Sequence, residues 1–129
     1  MKNAFLFVYG SLLDEDNEFA VYLKDNSKFY SPGKVKGRLY DIGEYPGAIL
    51  SAKGDEYIYG TILKIDTPEK VFNVIDDYEG YGGEQSWPNE FIRVLTDIET
   101  DSGAMSCWIY LYNLPVNGLR DIKGGRYFK

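Results

Sequence analysis

The chain has 129 residues, of which 44% are hydrophobic and 26% charged, a composition typical of one globular domain spanning residues 1–129. Acidic residues outnumber basic ones by 20 to 14, and the net charge of −6 opposes binding to nucleic acid or to an anionic membrane surface. One cysteine and no histidine exclude an internal disulfide and a thiolate metal site, so carboxylates, lysines, tyrosines or the backbone must perform any proton transfer. No apolar run approaches membrane-spanning length, and we expect a soluble, cytoplasmic protein.

The amino-terminal region predicts a strand followed by a short helix. The apolar run 5–13 indicates a strand that stops abruptly at the Tyr-Gly-Ser turn of residues 9–11. The acidic segment 14–18 then forms the first turn of a helix, which residues 26–28 end.

The next region predicts three strands. Residues 31–33 read as a Ser-Pro-Gly turn, and the strands follow at 35–42, 48–50 and 56–65. Gly60, in the middle of the third of these strands, predicts a bulge or a close approach of another backbone.

A second helix is predicted after these strands. Thr67 supplies a capping hydroxyl, Pro68 suits the first helical position, and Glu69 adds an acid to the first turn. Gly80 ends the helix, so Glu79 is expected at or next to its carboxyl end.

The remaining pattern predicts a hairpin and an irregular tail. Runs 90–98 and 104–112 are rich in apolar and β-branched residues and flank a turn at 100–103. Cys107 alternates with apolar residues and is expected in the core instead of acting as a nucleophile. With strands before, between and after two helices, we predict an α+β fold, a small, mostly antiparallel β-barrel of five to seven strands with two short flanking helices.

Two stretches carry residues suited to chemistry. The segment Tyr9-Gly10-Ser11-Leu12 can direct consecutive backbone N–H groups at a small anion, although an ordinary turn is the simpler interpretation of a Gly-Ser pair. A carboxylate at Glu79 would meet the negative end of the helix dipole among aromatic neighbours, and both conditions raise its pKa and suit a general base. The alternative is a solvated residue in the last helical turn.

Four motifs in this chain occur in the order and spacing of the γ-glutamylcyclotransferase-like family, which includes AIG2-like and γ-glutamylamine cyclotransferase-type proteins. They are Tyr9-Gly10-Ser11-Leu12, Gly37-Arg38-Leu39-Tyr40 with Tyr45-Pro46-Gly47, Tyr59-Gly60-Thr61-Ile62, and Ile75-Asp76-Asp77-Tyr78-Glu79-Gly80-Tyr81. Arg93 and the strand ending in Leu111-Tyr112 extend the match. The chain resembles this family over residues 4–115.

The resemblance implies a barrel with a pocket at one end. It implies a substrate-binding role for Tyr9, Gly10, Ser11, Leu12 and Tyr45, and a catalytic acid/base role for Glu79. The implied reaction cyclises a small-molecule γ-glutamyl amide to 5-oxoproline and releases an amine or amino acid, without metal or cofactor.

Two departures from the family pattern bear on this implication. Phe91 stands where the family often has a tyrosine, and the segment 82–89, with Trp87, is longer than the usual connection. They motivate an alternative, a non-catalytic small-molecule binding or regulatory module that keeps the pocket; a third interpretation is a structural protein that assembles through tyrosine-rich strands. The sequence leaves the leaving group and the oligomeric state open.

Overall fold

The structure is a computed structural model that describes residues 3–9, 18–41, 46–51, 54–78 and 91–122. Within these ranges it contains seven strands and two helices. In chain order they are β1 (Phe5–Val8), α1 (Glu18–Asp25), β2 (Ser27–Asp41), β3 (Pro46–Leu50), β4 (Tyr57–Ile65), α2 (Pro68–Tyr78), β5 (Phe91–Thr100), β6 (Gly103–Tyr112) and β7 (Arg120–Ile122). No helix in the described ranges is long and apolar enough to cross a membrane.

Five of the strands close into a barrel. The pairs β1–β4, β4–β2, β2–β5 and β5–β6 are antiparallel, and a parallel contact between β6 and β1, with Leu6 opposite Trp108, completes the ring. Strands β3 and β7 both pair with the carboxyl-terminal part of β2, where Leu39 faces Ala48 on one side and Ile122 on the other. The predicted α+β barrel with two flanking helices is therefore confirmed.

Alternation along the strands divides the apolar side chains into two groups. One group, which we call the barrel core, fills the interior and consists of Phe7, Tyr9, Val35, Leu39, Ala48, Ile58, Ile62, Ile98, Cys107 and Ile109. The other, the helix-side core, lies between the barrel and the helices and consists of Leu6, Val8, Leu23, Ile65, Val71, Phe72 and Tyr110. Adjacent residues of β1 therefore point in opposite directions, as the period of two in a strand requires.

Gly60 allows two strands of the barrel to approach closely. A Cβ atom at this position would lie 2.2 Å from the Val8 carbonyl oxygen and 2.9 Å from Cζ of Phe7. No side chain larger than hydrogen fits there, because the nearest obstacle is backbone. The close approach expected at Gly60 is confirmed.

The predicted turn at 31–33 is wrong, because these residues lie inside the 15-residue strand β2. The pairing of β2 with β4 shifts register between Phe29 and Ser31, so the strand accommodates Pro32 beside an irregularity of the bulge type. A Cβ at Gly33 would lie only 2.7 Å from Cγ2 of Ile98, so this glycine lets β2 pass close to β5. Pro32 and Gly33, the two residues that suggest a turn, therefore lie within a strand.

The carboxyl-terminal region confirms one prediction and corrects another. Strands β5 and β6 form the predicted hairpin, whose turn is closed by the Thr100 hydroxyl, which donates to the Gly103 carbonyl at 2.6 Å. Cys107 is fully buried, and burial raises the pKa of its thiol to about 11, so it is protonated at neutral pH. The tail predicted to be irregular contains strand β7, which pairs with β2.

Candidate active site

Several elements of the barrel begin or finish at the same end. Because β1 and β6 are parallel, their carboxyl ends, at Val8 and Tyr112, lie on one side. Their antiparallel partners run the other way, with Thr61 of β4 opposite Val8 and Phe91, the first residue of β5, opposite Tyr112. We call this side the site end of the barrel, since the chain continues from it into residues 10–12.

Helix α2 begins at the end of the barrel opposite the site end. Ile65, just before the helix, pairs with Ser27 and donates its N–H to the Ala4 carbonyl at 2.7 Å. The Thr67 carbonyl accepts the N–H of Val71 at 3.2 Å, so the helix starts where the sequence predicts. Further along, the ring of Phe72 lies 6.2 Å from that of Trp108, a residue level with Leu6.

From Phe72 to Tyr78, the last described residue of the helix, α2 rises by about 9 Å along its own axis, at about 1.5 Å per residue. Glu79 is the next residue in the chain.

Tyr9 is the predicted site residue that the structure describes. Its side chain is 7% exposed and belongs to the barrel core, and its hydroxyl donates a hydrogen bond to the backbone carbonyl of Tyr110. This bond joins the end of β1 to β6 across a separation of 101 residues in sequence. Tyr9 therefore holds the chain directly after β1 against β6.

The other predicted site residues, Gly10, Ser11, Leu12, Tyr45 and Glu79, lie outside the described residues, as does the segment 82–89. Of their described neighbours in sequence, Tyr9 and the start of β3 lie at the site end. Tyr9 precedes Gly10, Tyr78 precedes Glu79, and β3 begins at Pro46, directly after Tyr45. In β3, a Cβ at Gly47 would lie 2.8 Å from Cβ of Tyr112, so this strand passes directly against the end of β6.

The polar residues near β3 and β7 form exposed ion pairs. Arg120 of β7 donates to the Asp41 carboxylate at 2.9 Å, and its side chain is 80% exposed. Arg38 lies 2.6 Å from Glu56, and a hydrogen bond with Tyr40 and the nearby Glu56 carboxylate raise the pKa of the guanidinium. These pairs place charges of both signs on the surface beside the carboxyl-terminal part of β2.

Arg93 has a contact that the sequence patterns did not reveal. Its guanidinium carbon lies 4.7 Å from the centroid of the Phe72 ring and 4.3 Å from that of Trp108. It thus lies between α2 and β6, next to the helix-side core. The only signal in the sequence is the two-residue period of β5, which puts Arg93 on the outer face, opposite Tyr110 in β6.

The chain matches the family described as "Gamma-glutamyl cyclotransferase, AIG2-like" over residues 6–129. It is 31% identical over 127 residues to the γ-glutamylcyclotransferase family protein YtfP of Escherichia coli K12, covering 93% of this chain and 92% of the relative. It is 29% identical over 109 residues to the γ-L-glutamyl-butirosin B γ-glutamyl cyclotransferase of Niallia circulans, covering 84% of this chain and 66% of that protein.

Solved structures share the fold. An AIG2-like protein of Mus musculus superposes with a TM-score of 0.74 at 21% identity, covering 97% of this chain and 88% of the other. The solution structure of ytfP from Escherichia coli gives a TM-score of 0.68 at 27% identity, with 95% of each chain covered. The fold, the family match and the relatives agree with the four sequence motifs, and the chain belongs to the γ-glutamyl cyclotransferase, AIG2-like family.

Proposed function

We propose that this protein is an enzyme that cyclises a γ-glutamyl amide to 5-oxoproline and releases the amine, with Glu79 as the general acid/base. The observation that carries the proposal is the match of this chain to the family over residues 6–129, in a barrel whose Tyr9 is anchored at the site end. In sequence, β1 leads into residues 10–12 and α2 leads into Glu79.

The reaction is an intramolecular acyl transfer. The substrate's α-amine attacks its own γ-carbonyl carbon, a C–N bond forms, and the carbonyl oxygen becomes an oxyanion. The oxyanion collapses, the bond to the leaving nitrogen breaks, and a five-membered lactam remains. Because both reacting groups belong to one molecule, holding the curled conformer supplies much of the rate enhancement through proximity.

Glu79 performs the proton transfers in this proposal. The α-amine is protonated in water, and the carboxylate must remove a proton before the nitrogen can attack. That first proton passes to solvent, and after attack the carboxylate takes the second proton from the ring nitrogen and delivers it to the leaving nitrogen. The amine thus departs neutral, the lactam nitrogen keeps one hydrogen, and the carboxylate is regenerated. General acid–base assistance of this kind contributes about 10²- to 10⁴-fold in rate.

The segment Tyr9 to Leu12 is proposed to bind the anionic part of the substrate. Backbone N–H groups of Gly10, Ser11 and Leu12 suit either the substrate's α-carboxylate or the developing oxyanion. The buried hydroxyl of Tyr9, bonded to the Tyr110 carbonyl, supports a role for Tyr9 in holding the start of this segment against β6. Tyr45, directly before β3 in sequence, is proposed as a further substrate-binding residue.

The test is release of 5-oxoproline, measured by mass spectrometry, from a panel of γ-glutamyl amino acids, γ-glutamyl amines and a γ-glutamyl aminoglycoside. The last of these is included because the Niallia circulans relative is named for a γ-glutamyl-butirosin substrate. We expect Glu79→Gln to lower turnover by about 10²- to 10⁴-fold while substrate binding persists.

Asp76→Asn is the matched control, because it removes a carboxylate from the same helix, three residues earlier. An equal loss in this control would contradict the assignment to Glu79. Saturable binding with no turnover by the native protein would favour the non-catalytic binding module, which Phe91, opposite Tyr112 at the site end, motivates.

A further inference from the structure

The Arg93 clamp, by which we mean Phe72, Arg93 and Trp108, joins three elements of the fold. Phe72 is in α2, Arg93 is in β5 and Trp108 is in β6. The guanidinium lies against both rings, at 4.7 Å and 4.3 Å from their centroids, and the rings themselves are 6.2 Å apart at 61°. One cation thereby contacts the helix and the barrel wall together.

The chemistry of arginine suits this position better than that of any other cation. A planar guanidinium can lie flat against an aromatic face and is weakly hydrated, whereas a lysine ammonium is compact and strongly hydrated. Trp108 is itself held in place, because its indole N–H donates to the Asn3 carbonyl at 3.0 Å. The clamp therefore fixes the helix to a part of the barrel that is itself fixed.

The clamp contacts α2 at Phe72, well before the last described residue of the helix, so a small tilt about Phe72 produces a large displacement at the carboxyl end. Phe72 is fully buried and lies in the first half of α2, about 9 Å along the axis from Tyr78. A rotation of about 6° about Phe72 would move the end of the helix by about 1 Å over this length. A displacement of this size at a reacting group can cost about 100-fold in rate.

We propose that Arg93 is a positioning residue, which sets the placement of the carboxyl end of α2, and hence of Glu79, by clamping Phe72 against Trp108. The inference rests on the proposed function for its catalytic consequence. Its structural part, that Arg93 fixes α2 on the barrel, holds without any assumed reaction.

The first test compares Arg93→Gln, Arg93→Lys and Arg38→Gln with the native protein on the 5-oxoproline assay. Arg38 is the matched control, since it is an arginine of the neighbouring β2 whose half-exposed side chain pairs with Glu56 outside the clamp. At a temperature where every variant is fully folded, we expect Arg93→Gln to lower kcat by about 10- to 100-fold with KM within about 2-fold. Arg93→Lys should recover part of the loss, and Arg38→Gln should match the native protein.

The second test needs no substrate. Hydrogen exchange is measured on the amides of residues 74–78, and the fluorescence of Trp108 is recorded in a Trp87→Phe background, because the chain has two tryptophans. We expect Arg93→Gln to speed exchange in this part of α2 by about 10-fold or more and to change the Trp108 emission. Arg38→Gln should change neither quantity.

The two tests separate the failure of the inference from the failure of the proposed function. If the native protein releases no 5-oxoproline, the proposed function is overturned. The hydrogen-exchange measurement would still test whether Arg93 fixes α2 on the barrel. Unchanged exchange in Arg93→Gln, or a loss of kcat that Arg38→Gln shares, would overturn the clamp. A loss of kcat confined to Arg93, partly recovered by lysine and accompanied by faster exchange, would support it.

Discussion

The barrel core and the helix-side core differ in what limits their packing. In the barrel core, the approach of strands is limited by backbone and aliphatic groups, as at Gly60 and Gly33. The helix-side core is bordered by long aromatic side chains, Trp108 and Tyr112 among them, and by the Arg93 guanidinium. The difference indicates that the interior determines whether the barrel forms, whereas the outer core determines where the helix lies on it.

The largest expected effect that tests this comparison comes from Gly60→Ala. The new methyl would lie 2.2 Å from the Val8 carbonyl oxygen, so one strand must shift, and we expect a loss of about 3 kcal/mol in the free energy of unfolding. Gly33→Ala is the matched control, because its methyl would meet the side chain of Ile98 at 2.7 Å instead of a backbone atom, and we expect a smaller loss of about 1.5 kcal/mol. Urea unfolding of both variants measures the two losses in free energy of unfolding. Equal losses would contradict a special role for the backbone contact at Gly60.

Tyr9→Phe tests the hydrogen bond that connects the barrel core to the helix-side core. The ring of Tyr9 belongs to the barrel core, and its hydroxyl bonds to the carbonyl of Tyr110, whose side chain belongs to the helix-side core. Removing a buried hydroxyl that bonds a carbonyl should lower the free energy of unfolding by about 2 kcal/mol. Tyr30→Phe, at a residue 53% exposed, is the control and should be nearly neutral by the same urea measurement.

The smallest expected effect concerns pH and Cys107. Burial, and secondarily the charge of Asp97, raises the pKa of this thiol to about 11, so the unfolded chain loses the thiol proton at lower pH than the folded one. The contribution of the protonated Cys107 thiol to the free energy of unfolding is therefore complete below about pH 9, and it is lost as pH rises towards 11. We expect about 1 kcal/mol less stability at pH 10 than at pH 8, beyond the change in Cys107→Val. Parallel pH dependences of the two proteins would contradict this.

Local patterns were sufficient for most of the fold. The alternation that includes Cys107 and Ile109, and the Thr-Pro start of α2, depend on neighbours in sequence and were predicted correctly. The Ser-Pro-Gly segment failed because its tolerance inside β2 depends on the register with β4 and on Ile98. Strand β7 was missed because three residues carry too little pattern without their partner in β2.

Less of the candidate site than of the fold could be predicted from the sequence. The motifs at residues 9–12 and 79 identified the family, and the parallel contact of β1 with β6 was needed to bring the ends of β1 and β6 to one side. The Arg93 clamp could not be foreseen, because Phe72 and Trp108 are 21 and 15 residues from Arg93 in sequence and meet only through the tertiary fold.

The closure of the barrel has a consequence for the order in which the chain can fold. Strand β1 receives its second neighbour from β6, and the contacts of Asn3, Tyr9 and Trp108 across this seam join residues more than 100 positions apart. During synthesis, β1 leaves the ribosome long before its partner exists, and the entropic cost of closing so long a loop falls late in folding. The site end is therefore among the last parts of the molecule to assemble, and a nascent chain that stops before residue 112 carries an open seam.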